Sequence, residues 1–137
     1  AHILTARFNT LKTEGNLNNH IGCPLTLLKL NEKHRAAVVE LGSNHPGEIS
    51  ALTRITLPTQ ALITNIGGAH LEFFKNRQAL ADEKLSLFKE IPDKGYIYRN
   101  LDDPFLSAFK PKTAEQTFSM HKKADVQGRL VEIDALG

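Results

Sequence analysis

Three residues carry chemistry at positions where packing usually sets the choice. Glu40 stands within the apolar run AAVVEL, residues 36–41. A carboxylate there is costly unless it is paired or bound to a cation. Two readings are open: a structural ion pair, with Arg54 or a lysine, or a cation ligand. Lys84 completes a helical stripe otherwise made by Leu80, Leu87, Phe88 and Ile91, the spacing of one helix face. Its stem can lie on apolar surface while the amine reaches water. Alternatively the amine loses its charge. A neutral lysine can act as a nucleophile or take up carbon dioxide as a carbamate, an oxygen ligand that suits magnesium. His70 follows Gly67 and Gly68, which let the backbone turn sharply and approach a ligand. It reads either as a hydrogen-bonded surface histidine or as a ligand, and Glu72 either as a ligand or as a solvated acid at a helix start.

Two further groups are polar binding candidates. The segment TEGNLNNHIGCP, residues 13–24, offers Thr13, Gly15, Asn16, Asn18, Asn19 and His20. Asparagine both donates and accepts, which suits a sugar, a peptide carboxylate or a phosphate; the structural alternative is that these residues only shape the loop. Asn44 and His45 follow Glu40 and can be read in the same two ways. His2, His34 and His121 fall in polar or terminal stretches and are assigned to the surface. Cys23 precedes Pro24 in an apolar context and reads as a small core residue.

The elements that must position these groups alternate between helix and strand. Residues 1–7 read as helix and 8–12 as a short strand. Pro24 opens the helix LTLLKL, where a first-turn proline is tolerated. Residues 36–41 suit a strand buried on both faces, as in a parallel sheet. Pro46 and Gly47 precede a helix over 47–56. Residues 61–66 (ALITNI) form the second such strand, residues 76–91 the longest helix, stopped by Pro92 to Gly95, and residues 96–99 a third strand. This order predicts an α/β fold: a partial, mostly parallel sheet with helices on its faces. Residues 117–120 and 126–134 are expected to be strands of a different, antiparallel arrangement. Ligands of such sheets bind beyond the carboxyl ends of the parallel strands, where Glu40 and His70 fall.

With 137 residues the chain can bury one core. A balance of 17 basic against 15 acidic residues, net +2, points away from nucleic acid or a membrane surface as partner. One cysteine excludes an internal disulfide and fits a reducing compartment. No apolar run approaches the roughly 18 residues of a membrane span. The chain opens on Ala1 in mid-pattern and stops at Gly137 without a closing element, and is read as one partial domain, 1–137, cut from a longer protein.

Four blocks in order resemble one family. The segments at 13–24, ELGSNHPGEI at 40–49, NIGGAHLEFF at 65–74 and ADEKLSLF at 81–88 are similar to the Mur ligases, and most to the F-type branch that adds D-alanyl-D-alanine. The likeness covers roughly residues 8–100 and is looser over 101–137. It implies a central, ATP-binding domain of P-loop type in a cytoplasmic bacterial enzyme. There ATP phosphorylates the terminal carboxylate of UDP-N-acetylmuramoyl-tripeptide, and the amine of D-alanyl-D-alanine displaces the phosphate to form an amide. Carried over residue by residue, Glu40 would hold the magnesium that bridges the ATP phosphates. His70 would hold a second magnesium, and Lys84, as a carbamate, would support it; these three form the implied catalytic set. Asn16, Asn18, Asn19, Asn44 and His45 would contact the UDP-muramoyl peptide.

The family's phosphate loop, G-x-x-G-K-[ST], does not occur in these residues. Without its lysine and amide cradle little grips the β- and γ-phosphates, so the isolated chain is expected to be inactive. Two alternatives stand beside this one. The first is another amide ligase of the superfamily, of the folylpolyglutamate or cyanophycin synthetase type. The second is a non-enzymatic α/β binding module with a closed sheet.

Overall fold

Helices and short strands alternate wherever apolar runs give way to glycine, proline and asparagine. The structure is a computed structural model that describes residues 1–67 and 73–130. Its contacts fall into two units, Ala1–Pro58 with Gly68–Glu90, and Thr59–Gly67 with Ile91–Gly137.

The first unit holds α1 (His2–Thr5), β1 (Thr10–Lys12), α2 (Gly22–Leu27), β2 (Ala36–Val38), α3 (Glu48–Thr56) and α4 (Arg77–Lys89). Strands β1 and β2 pair in parallel, Thr10 opposite Ala36 and Lys12 opposite Val38. Strand β2 is not buried on both faces as its composition predicts, since Ala37 is exposed and its two neighbours are half-buried. A two-stranded sheet leaves each strand one open edge. The core comes instead from the helices. Ile49 and Leu52 of α3 and Leu80, Ala81, Leu85 and Phe88 of α4 are buried, with Leu11, Cys23 and Phe74, and α3 packs against α4.

Local chemistry sets the helix ends. The Asn76 side chain accepts from the Ala79 amide at 2.9 Å and starts α4, a standard asparagine N-cap. Helix α3 begins after Gly47, whose φ of +92° is left-handed and costs glycine little. It ends on Leu57, also left-handed at φ 46°, ahead of Pro58.

The second unit is a parallel sheet in the order β3 (Gln60–Ile63), β4 (Tyr96–Asn100), β5 (Ala114–Ser119), β6 (Val126–Gln127). Its buried residues include Ala61, Ile63, Ile97 and Leu106. The antiparallel arrangement expected after residue 103 is corrected here. Strand β5 runs parallel to β4, Tyr96 opposite Ala114 and Asn100 opposite Phe118, and β6 parallel to β5. For β5 the reason is α5 (Pro104–Ala108), a helix the sequence pattern did not reveal. It returns the chain between β4 and β5 and so makes a crossover of the length parallel pairing needs. Asp103 starts α5, accepting from the Phe105 and Leu106 amides at 2.9 and 3.0 Å, and its second oxygen takes the Ile66 amide at 2.7 Å. The expected strand over 126–134 is a strand at Val126–Gln127; residues 131–137 lie outside the described residues. No helix among the described residues is long and apolar enough to cross a membrane.

Candidate functional site

Glu40 and the asparagine loop form one surface of the first unit. The chain leaves β2 at Val38, so Glu40 stands just past the strand's carboxyl end, and it is exposed. Its Oε1 accepts from Asn18 Nδ2 at 2.9 Å, and its amide donates to Thr13 Oγ1 at 2.8 Å. The Gly42 amide donates to the Asn18 carbonyl at 2.8 Å. A Cβ on residue 42 would meet the Asn18 side chain at 2.9 Å, so glycine allows this approach. The buried Cys23 thiol donates to the Glu40 carbonyl at 3.4 Å. Burial first and the Glu40 charge second push that thiol's pKa up, which keeps it protonated.

The ion pair considered for Glu40 does not form. Arg54 donates to Ser50 and Glu90, at 2.8 and 3.2 Å. Among the described residues Glu40 joins no ion pair. Among the described residues its side chain is bonded only to the neutral Asn18 amide, and it is exposed.

The other loop residues divide. Asn16 is exposed. Asn19 shapes the loop, its Oδ1 accepting from the Ile21 and Gly22 amides at 3.1 and 2.9 Å ahead of α2. Asn44 and His45 sit in the turn before α3, and their amides donate to Glu48 Oε2 at 2.7 and 3.0 Å. The Asn44 amide foremost, and the His45 contacts after it, hold the Glu48 carboxyl below the usual range. Asn19, His20 and Gly42 border a small cleft with Glu48, Ala51 and Leu52, of about 60 Å³. That is room for a few water molecules and too little for a nucleotide.

Lys84 lies on α4 between the buried Leu80 and Phe88 and is half-buried, as the stripe predicts. His70, and Glu72 with it, lie outside the described residues.

One residue of this region escaped the sequence reading. Glu83 is 6% exposed. Its Oε2 accepts from the Gly47 amide at 2.7 Å and its Oε1 from the Ile49 amide at 2.8 Å. The first turn of a helix leaves amides without intrahelical partners, and α3 starts with no Ser, Thr, Asp or Asn cap of its own. That lack signals that a distant acceptor is needed without saying which.

Three of the four sequence blocks that carry the likeness, 13–24, 40–49 and 81–88, thus lie with these residues in the first unit, while 65–74 is divided between the units and described only in part. Residues 1–135 match the Mur ligase middle domain. This chain belongs to the Mur ligase family. The UDP-N-acetylmuramoyl-tripeptide–D-alanyl-D-alanine ligase of Escherichia coli (strain K12) is 45% identical over 103 residues, 75% of this chain and 23% of that protein. The crystal structure of MurF from Acinetobacter baumannii superposes with a TM-score of 0.80 at 37% identity, over 85% of this chain and 26% of that one. MurF ligase from Thermotoga maritima, solved in complex with ADP, gives 0.79 at 30% identity, over 87% and 28%. The chain therefore spans about a quarter of the length of these Mur ligases. Its α/β fold with parallel sheets is the fold those structures share over the matched part.

Proposed function

We propose that this chain supplies part of the central domain of an F-type Mur ligase. That enzyme joins D-alanyl-D-alanine to UDP-N-acetylmuramoyl-tripeptide at the expense of ATP, through an acyl phosphate, in the bacterial cytoplasm. The observation that carries the reading is the Asn18–Glu40 bond at 2.9 Å. It joins two of the blocks on which the family likeness rests into one exposed polar surface at a strand end, the usual ligand position of an α/β sheet.

The residues fit a magnesium ion held with substrate. Magnesium keeps waters and takes one or two carboxylates plus phosphate oxygens rather than an all-protein cage. Glu40 offers such a carboxylate, and among the described residues no group of three acidic, histidine or cysteine side chains forms a cage. Glu40 would hold the ion at the ATP phosphates. His70 and Lys84, the latter as a carbamate, would hold a second. Bound there, the metals would neutralise charge on phosphate and carboxylate oxygens. Asn16, Asn18, Asn19, Asn44 and His45 would face the UDP-muramoyl peptide. Asn19 would do so with its amide nitrogen, since its oxygen is taken by two loop amides.

The binding-module alternative predicts no nucleotide-dependent turnover in the protein that contains this chain. The test is ADP release that depends on D-alanyl-D-alanine, measured on the ligase containing this chain. Glu40→Gln is expected to lower kcat on the order of 100-fold, the scale of losing one electrostatic contact at the transition state, with the fold kept. Turnover that requires glutamate, or no loss in Glu40→Gln, overturns the reading. The 137-residue chain by itself, lacking a phosphate loop, is expected to form no amide.

A further inference from the structure

We infer that Glu83 is a positioning residue, which fixes the Asn44–His45 turn to the helix that carries Lys84. The inference rests on the reading above, in which that turn meets the muramoyl peptide and Lys84 serves the metal.

Glu83 and Lys84 are consecutive on α4, so their backbone positions are tied. The Glu83 carboxylate is buried and bonded to two amides more than thirty residues away, Gly47 at 2.7 Å and Ile49 at 2.8 Å. Those amides flank Glu48. Glu48 in turn accepts from the Asn44 and His45 amides, at 2.7 and 3.0 Å. Two carboxylates thus hold four backbone amides between residues 44 and 49, Glu48 from the first position of α3 and Glu83 from α4. Bonds from amides to an ionised carboxylate are short and strong, and the amino end of α3 favours both charges. Gly47, at φ +92°, is the position where the turn could rotate most freely. It is also where Glu83 grips. A surface capping acid would supply the same helix ending. A buried one on α4 adds a fixed distance between the turn and Lys84.

Glutamine at 83 keeps the shape but sets an NH2 against one of the two amides, so one grip is lost. Amide hydrogen exchange on the 137-residue chain reads this directly. Glu83→Gln is expected to speed exchange at Gly47 or Ile49 and, with it, at Asn44 and His45, each about tenfold, as one lost buried hydrogen bond allows, while Leu11 and Lys12 of β1 keep their rates. Unchanged Asn44 and His45 rates overturn the inference. If the variant does not fold, the wild-type chain decides. Equal urea dependence of exchange at Asn44, His45, Gly47 and Ile49 supports a single clamped unit, and independent opening of Asn44 and His45 refutes it.

In the ligase, Glu83→Gln is expected to raise KM for the muramoyl peptide about tenfold and to leave KM for ATP within about twofold, short of the hundredfold that a 1 Å misplacement can cost. Glu83→Asp, which keeps the charge on a shorter arm, should restore part of the loss. An equal rise in both KM values, or none, marks a purely structural cap. A ligase without activity in wild-type form would sink the functional reading, and the exchange result would still stand or fall by itself.

Discussion

Replacing Arg99 by methionine removes a guanidinium that is 7% exposed and donates four hydrogen bonds. Two go to Glu115, at 2.6 and 2.8 Å, and two to the Leu106 and Ser107 carbonyls at the end of α5, at 2.7 and 3.1 Å. Breaking a fully buried pair costs about 3–5 kcal/mol, mostly through the stranded partner. Glu115 is 27% exposed, so water recovers part of its hydration and the cost is reduced by screening. The expected loss is about 2–3 kcal/mol. Adding Glu115→Leu removes the stranded charge, and the double variant should regain at least half, since apolar replacement of such pairs is often neutral. The chain has two tyrosines and no tryptophan, and Tyr96 and Tyr98 both lie in β4 beside Arg99. Tyrosine emission during urea unfolding therefore reports on this sheet alone. A cost below about 1 kcal/mol for Arg99→Met, or a double variant no more stable than the single one, would show that the fork does not hold β5 and α5 together.

Leu57 is 77% exposed and left-handed at φ 46°, a conformation that costs an L-residue roughly 1–2 kcal/mol. Leu57→Gly should therefore raise stability by about 0.5–1 kcal/mol after the entropy that glycine adds to the unfolded chain, read as a higher urea midpoint by circular dichroism. Glu48 is held ionised below its usual range, chiefly by the Asn44 amide. A lowered folded-state pKa gives stability that is complete above the unfolded pKa, roughly pH 4–5, and is lost as pH falls through the folded value. The Asn44 and His45 amide resonances should therefore move together on acidification, with a midpoint below 4.5, the ordinary glutamate value. Glu48→Gln should abolish that transition.

Spacing and composition made much of the first unit legible. Pro46 and Gly47 ahead of α3, and Pro92 to Gly95 after α4, mark those helices in the sequence, because breakers act within a few residues of themselves. Lys84 stood out because i, i+4 spacing needs no knowledge of a partner. Glu40 at a strand end was legible for the same reason, and four ordered blocks sufficed for the family. Tertiary structure alone decided the rest. Whether β5 runs with or against β4 depends on α5 returning the chain, and periodicity within a strand carries no direction. Asn18 meets Glu40 across 22 residues and Arg99 meets Glu115 across 16. Glu83 reaches the start of α3 across 34 and 36 residues. On α4 it lies three residues after Leu80 and four before Leu87, at the edge of the apolar stripe, where a carboxylate reads equally as solvated. It is buried because the uncapped amides of another helix lie against it. A polar group's burial is set by what faces it in space, and that is the property a one-dimensional pattern does not contain.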